Sequence, residues 1–325
     1  MPKCRNPQSK YMSNKRIEID MVYLWVDGSD PEWLKKRQQF MGTPTRSAEA
    51  DTEGRYANND ELKYSLRSAE KYAPWIRQIF IVTDNQIPIW LNTNHPKVKV
   101  IDLTEIMPPE VLPSFNSNVI ESHLYRIPGL SEHFLYANDD MFFNAPVLPD
   151  FFFANDGYPI VRLKRKILGR WHFKLKSMLV GLGPYGKILF DSMRLVEKKF
   201  GVFYSGIPHH NIDGYLRSDN QRAVEEVFKQ EFEKSKLNRT RAFSDVQRVI
   251  FSYYMLAIGH AHLRYVTRNE SSRILIYKHD FAKYLNQHRP SLFCLNDNQH
   301  VTWEDRKKVR PFLESLFPQK SPYER

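Results

Sequence analysis

The sequence predicts an α/β protein built on a mainly parallel, Rossmann-type sheet, with a basic, helical insertion and a helical C-terminal part. Three observations carry that prediction. Short apolar runs alternate with amphipathic helical stretches over residues 17–140, the pattern of strands joined by crossover helices. Polar turns follow Val26, Val82 and Ala137, made of residues that tolerate unusual backbone angles or cap helices. The chain has 325 residues, 42% of them hydrophobic and 14% aromatic, which is ample for a globular core.

The elements follow in order. Residues 1–15 are polar and basic and are expected to form a disordered leader, leaving 16–325 as a single domain. Ile17–Val26 (IEIDMVYLWV) is β-rich and predicts a buried strand. It ends in the turn Asp27-Gly28-Ser29-Asp30, and Pro31 suits the first turn of a helix over Glu32–Phe40. Thr43–Asn58 reads as a polar loop. Asn59 or Asp60 is expected to cap a helix over Glu61–Ala73. Leu62, Leu66, Ala69 and Ala73 would form its core stripe, with Tyr64, Arg67, Ser68 and Lys71 on another face. Gln78–Thr83 and Val98–Leu103 predict two more strands.

A helix over Asn118–Ile127, stopped by Pro128-Gly129, leads to an apolar run, Phe134–Ala137. That run predicts a strand delivering Asn138-Asp139-Asp140 at its carboxyl end, where ligands gather in α/β sheets. After Asn144 the pattern changes. Arg162–Lys176 carries seven Lys or Arg and no acid. It reads as a solvated basic surface or as a contact for a polyanion or a membrane face. Tyr185–Phe200, Ile212–Lys236, Ser244–Ile258 and Trp303–Phe317 predict helices. The expected organisation is a core at 16–145, a basic helical region at 146–240 and completing helices at 241–325.

The formal charge of +11 favours anionic partners without selecting among them. Cys4 and Cys294 are the two cysteines, too few for a disulfide framework, and a reducing compartment fits. The opening residues contain no apolar signal region, and the longest mostly apolar run, Val249–Gly259, is too short to span a bilayer. A soluble or peripheral protein is expected. No Walker loop, GxGxxG, CxxC pair or GxSxG elbow is present, which counts against P-loop kinases, typical dinucleotide oxidoreductases, zinc sites and α/β-hydrolases.

Each candidate site residue has two readings. The Asp27–Asp30 turn is a nucleotide-contacting loop, with Gly28 permitting close approach, or plain capping by Asp30. Asp139 and Asp140 are a metal site or a polar strand end. Glu121 lies one helical turn from Ser117, near Asn116 and His123, and is a sugar contact or an exposed first-turn acid. His209 and His210 follow Pro208 in a turn and supply a general base or lie on the surface. Arg241 is a phosphate clamp or an ordinary surface arginine. Asn296-Asp297 is a turn.

Four blocks then resemble the Stealth family of sugar-1-phosphate transferases, found in bacterial capsule and exopolysaccharide synthesis and in lysosomal enzyme tagging. They are Ile19–Pro31 (IDMVYLWVDGSDP); Asn59–Ser68 with Pro74–Leu91 and Leu112–Asp140; Pro208–Asp213 (PHHNID) with Arg241 and Ser244-Asp245-Val246-Gln247; and Phe293–Asp297 (FCLND). The resemblance implies a GT-A-like fold, Mg²⁺ or Mn²⁺, and a UDP-sugar donor bound by the 16–145 core. It implies transfer of a whole sugar-1-phosphate to a hydroxyl of an anionic glycan, with release of UMP. The 146–240 region would face the acceptor.

On that resemblance Asp139 and Asp140 would hold the metal, and Asp27, Gly28 and Asp30 would shape the donor pocket. Arg67 and Arg241 would meet phosphate. Asn116, Ser117 and Glu121 would read the donor sugar. His209, directly after Pro208, would take the acceptor proton. No nucleic acid is expected; a cytoplasmic location fits the cysteine usage, and the basic surface suits contact with an acidic membrane face. Two other functions stand beside this one: a metal-dependent glycosyltransferase releasing UDP, and a non-catalytic polyanion-binding module using the Arg162–Lys176 block.

Overall fold

A computed structural model describes residues 17–41, 56–179 and 181–325. The expected leader at 1–15, with Cys4, lies outside the described residues, as does most of the expected loop at 43–58.

The strands are β1 (Ile19–Leu24), β2 (Ile79–Thr83), β3 (Val98–Asp102), β4 (His133–Asn138), β5 (Met141–Phe143), β6 (Ile160–Arg165), β7 (Gly206–Pro208), β8 (Asp213–Leu216), β9 (His262–Tyr265), β10 (Ser271–Leu275) and β11 (Leu292–Asn296). The main sheet has the order β3-β2-β1-β4-β8. β1 pairs parallel with β2 and β4, and β2 with β3. β8 lies antiparallel against β4 at the edge. The mainly parallel α/β class is therefore observed.

The central strands are apolar on both faces because both faces are covered. Val22, Phe80, Val82, Phe134 and Tyr136 point into one core with the buried helix Val249–Ala257. Their neighbours Met21, Tyr23, Ile79, Ile81, Leu135 and Ala137 point into a second core with Leu62, Leu66 and Ala69 of the helix Glu61–Tyr72. The predicted stripe of that helix is its core face. Its other face is also buried: Tyr64 enters a third core with Phe142, Phe293, Leu313 and Phe317.

Several sequence expectations change. Asp60 precedes the helix Glu61–Tyr72 in a left-handed conformation, φ 65°, and makes no side-chain cap. The helix expected at 118–127 is one α-turn, Ser117–Glu121, then a 3-10 turn, Leu124–Arg126. The helix expected from Ile212 begins as strand β8. The expected final helix is two, Trp303–Arg306 and Val309–Leu316. Two small sheets, β10-β11-β5 and β7-β6-β9, were not foreseen.

The sheet order reverses between β1 and β4. Their carboxyl ends, Leu24-Trp25-Val26 and Asn138-Asp139-Asp140, therefore flank the crevice where open α/β sheets bind ligands. β5 follows the Asp139-Asp140 turn and pairs with β11, while Leu295 N–H donates to the Asp140 carbonyl at 3.0 Å. The acidic turn is thus held between two sheets.

Candidate active site

A cleft of about 550 Å³ opens at this switch point. The carboxyl ends of β1, β2 and β4 form one wall with Glu61 and Ser117, and Asn296–His300 after β11 form part of another. Tyr185, His210, Arg241 and Arg273 complete it. Its lining combines aromatic, acidic and basic groups.

The rings of Trp33, Tyr56 and Phe115 line the cleft. Tyr56 and Phe115 sit 5.1 and 5.5 Å from Trp33, centroid to centroid. Asp30 caps the helix Pro31–Met41 by accepting from Trp33 N–H at 2.9 Å, which seats that indole. Thr83 Oγ1 and Asp84 Oδ2, on the same lining, are buried without a hydrogen-bond partner. Unmet polar atoms beside aromatic faces suit a planar, polar guest.

Glu61, Asp139 and Asp140 share one region. Burial raises the Glu61 carboxyl to about 7 despite hydrogen bonds from Asn59, and the Asp140 charge adds to the rise. Burial, then Glu61 and Asp140, hold Asp139 well above the ordinary carboxylate range. Burial lifts Asp140 to about 6, although Cys294 donates to its Oδ2 at 3.2 Å. Asp140 Oδ1 is buried with no partner. Crowded carboxylates with an orphaned oxygen are what a hard divalent cation would relieve. Oxygen donors fit Mg²⁺ or Mn²⁺. Donor atoms of Asp140, His210 and Cys294 also lie within 4.8 Å of one another. The Cys294 thiol, however, is pushed up by burial and by Asp140, so it stays protonated and suits a hard cation poorly.

Opposite charge comes from Arg241 and Arg273. Arg241 donates to Ser117 Oγ through Nη2 at 2.5 Å and Nε at 3.2 Å. His210 has φ 59°, a left-handed conformation uncommon outside glycine, and turns its ring into the cleft. Burial, then Arg273 and Arg248, lower its imidazole to about 3, so it is neutral.

Family comparisons match this chain in three places: Stealth protein conserved region 1 at residues 18–44, conserved region 2 at 55–161 and conserved region 4 at 283–325. The capsular polysaccharide phosphotransferase fcs1 of Haemophilus influenzae is 34% identical over 94% of this chain and 85% of its own length. The receptor polysaccharide phosphotransferase WefC of Streptococcus gordonii is 32% identical over 94% and 99%. The chain belongs to the Stealth family. The Stealth chain spans about half the length of some relatives, such as the exopolysaccharide phosphotransferase SCO2594 of Streptomyces coelicolor, 35% identical over 97% of this chain and 52% of that one. A solved galactosyltransferase, LgtC, covers 93% of the Stealth chain at 10% identity and a TM-score of 0.45.

The cleft gathers Asp139, Asp140, Ser117 and Arg241 from the expected set. The others lie elsewhere. His209 is fully buried behind the cleft, its Nδ1 2.6 Å from Ser271 Oγ and its Nε2 2.7 Å from Asp213 Oδ1. Both of its ring nitrogens are engaged, and it is the neighbouring His210 that lines the cleft. Arg67 packs on the far side of its helix, donating to Glu324 at 2.7 and 2.8 Å and to the Phe317 carbonyl at 2.6 Å. It does not line the cleft.

Asn116 caps the Ser117 helix and donates to the carbonyls of Asn238 and Thr240 and to Asp245. It braces the segment that carries Arg241 and does not line the cleft. Glu121 is buried outside the lining, accepting from Tyr136 at 3.0 Å, with Arg248 4.0 Å away. Asp27 ties down its own turn through Ser29 and Asn58. A Cβ on Gly28 would lie 2.2 Å from Tyr56 Cβ, so the glycine makes room for the chain at Tyr56.

Sequence reasoning weighed His210 only as the second of a pair, and missed Glu61, Arg273 and the aromatic group. The doubled histidine was a signal for His210, and Glu61 stood in a block that carried the resemblance. No sequence signal marked Arg273.

Proposed function

We propose that this Stealth chain transfers a sugar-1-phosphate, such as HexNAc-1-phosphate, from a UDP-sugar to a glycan hydroxyl in capsule or exopolysaccharide synthesis. The observation that carries the reading is the meeting of Glu61, Asp139 and Asp140 with Arg241, Arg273 and His210 in one cleft at the strand switch point. The relatives' names support it.

Trp33, Tyr56 and Phe115 would take the nucleobase, with Thr83 and Asp84 meeting its polar edge. Arg241, oriented by Ser117, and Arg273 would face the phosphates. Asp139 and Asp140, with Glu61, would hold Mg²⁺ or Mn²⁺. When bound, the cation neutralises the diphosphate and makes UMP a better leaving group. His210 would accept the proton from the acceptor hydroxyl. A bond forms between that oxygen and the sugar-side phosphorus. The bond from that phosphorus to the bridging oxygen breaks, and UMP carries the electron pair away. The anomeric bond is untouched. Negative charge from the bound diphosphate raises the proton affinity of His210 above its value in the empty cleft.

The test is incubation with a panel of nucleotide sugars, a glycan acceptor and Mg²⁺ or Mn²⁺. Nucleoside monophosphate and a phosphodiester ³¹P signal are expected. Nucleoside diphosphate with phosphate-free sugar on the acceptor would show glycosyl transfer instead. Salt-sensitive anion binding without turnover would leave a binding module.

A further inference from the structure

The helix Arg170–Leu179 turns its apolar face outward. Trp171, Leu175, Met178 and Leu179 recur at i, i+4, i+7 and i+8, one side of a helix. They are 61%, 42%, 82% and 80% exposed. Phe173, on the opposite side, is buried and stacked 5.1 Å from Phe190. The turn leading in adds Ile167 and Leu168, 93% and 56% exposed. Single exposed hydrophobes are ordinary; a contiguous stripe of them marks a contact surface.

Charge identifies the contact. No acid interrupts Arg162–Lys176. Lys174 and Lys176 border the stripe, and Lys174 Nζ lies 5.1 Å from the Trp171 ring centre. A soluble polyanion would use the cations and leave the apolar side chains in water. A second copy would bring the same basic block against this one. A bilayer with anionic headgroups satisfies both halves: apolar side chains enter the headgroup–acyl boundary while lysines meet phosphate. The helix is 10 residues long, too short to cross a bilayer, so such a contact would lie along the surface.

We propose that the stripe Trp171-Leu175-Met178-Leu179, bordered by Lys174 and Lys176, docks the chain onto an anionic lipid surface. None of these residues lines the cleft, so the docking stands apart from the transfer reading.

The experiment is flotation of the full chain with phosphatidylcholine vesicles, with and without phosphatidylglycerol. Partitioning at least ~10-fold stronger onto the anionic vesicles is expected, weakening as salt rises. The double variant W171E/M178E should lose it by about 10-fold or more with an unchanged melting curve. Should that variant fail to fold, Trp171→Phe serves: brominated lipids should quench wild-type tryptophan fluorescence more than that of the variant. Equal flotation on neutral and anionic vesicles overturns the proposal. So does an intact double variant that floats like wild type, or a wild-type dimer that the variant abolishes without change in flotation.

Discussion

Nε2 of His209 stands 2.7 Å from Oδ1 of Asp213, inside the protein. The same carboxylate accepts from Arg248 Nη1 at 2.8 Å through its other oxygen. One histidine of the doublet is therefore spent on structure, and its neighbour is left for the cleft. The two should separate by mutation. His210→Ala is expected to cut turnover by about 10²–10⁴-fold, the range of general-base assistance, while donor binding and melting temperature stay near wild type. His209→Ala should cost about 1–3 kcal/mol of stability, the penalty for stranding buried polar partners. Urea unfolding and single-turnover kinetics on both variants read this out, and a fully active His210→Ala removes the base assignment.

Arg67 gives the second prediction. Its guanidinium makes a paired contact with Glu324 and a bond to the Phe317 carbonyl, fastening the C-terminal segment to the helix Glu61–Tyr72. Both partners are buried at this contact, their side chains 6% and 4% exposed. Arg67→Ala strands the Glu324 charge and should destabilise the fold by about 3 kcal/mol or more. KM for the donor should not move at temperatures where the variant is folded. A selective rise in KM would return Arg67 to the phosphate role the sequence had suggested.

These residues show what the sequence made legible. The strands β1, β2 and β4 were readable because they are buried on both faces, and their apolar runs have little alternative. Asp139-Asp140 was readable because an acidic pair directly after such a run can only sit at a strand's carboxyl end. The partner of Arg67 was not, because Glu324 lies 257 positions away and nothing local selects it. The choice between His209 and His210 rests on the left-handed backbone at His210, which adjacent identical residues do not reveal. β8 was read as the start of a helix because Asp213–Leu216 is short and its strand character comes from pairing with β4.

The acidic group predicts a response to metal. Asp140 is raised to about 6 and Glu61 to about 7, each chiefly by burial. Without a cation the burial of these charges works against the fold, and the Asp140 charge adds to the cost at Glu61. Asp140→Asn should stabilise the metal-free protein by on the order of 1 kcal/mol, because one crowded charge is gone. The same variant should lose most of the rise in melting temperature that Mg²⁺ or Mn²⁺ gives wild type, and with it the turnover. Thermal melts with and without chelator decide this. A variant that keeps the full metal-induced shift would move the cation site away from Asp140.

Asp213 predicts a pH response of the opposite sign. Burial alone would raise its carboxyl, but the charges and hydrogen bonds of His209 and Arg248 overcome this and bring it down to about 2. An unfolded chain holds the group near its ordinary value of about 3.9. The folded state therefore binds this proton less readily, and the carboxylate adds stability above about pH 4. That contribution, on the order of 2 kcal/mol, should fade as pH falls from about 4 through 2. Asp213→Asn should be less stable than wild type at pH 6, with the gap narrowing steadily below pH 4. Denaturant melts across that range test it. A gap independent of pH would mean that the Asp213 charge adds nothing beyond its shape and hydrogen bonds.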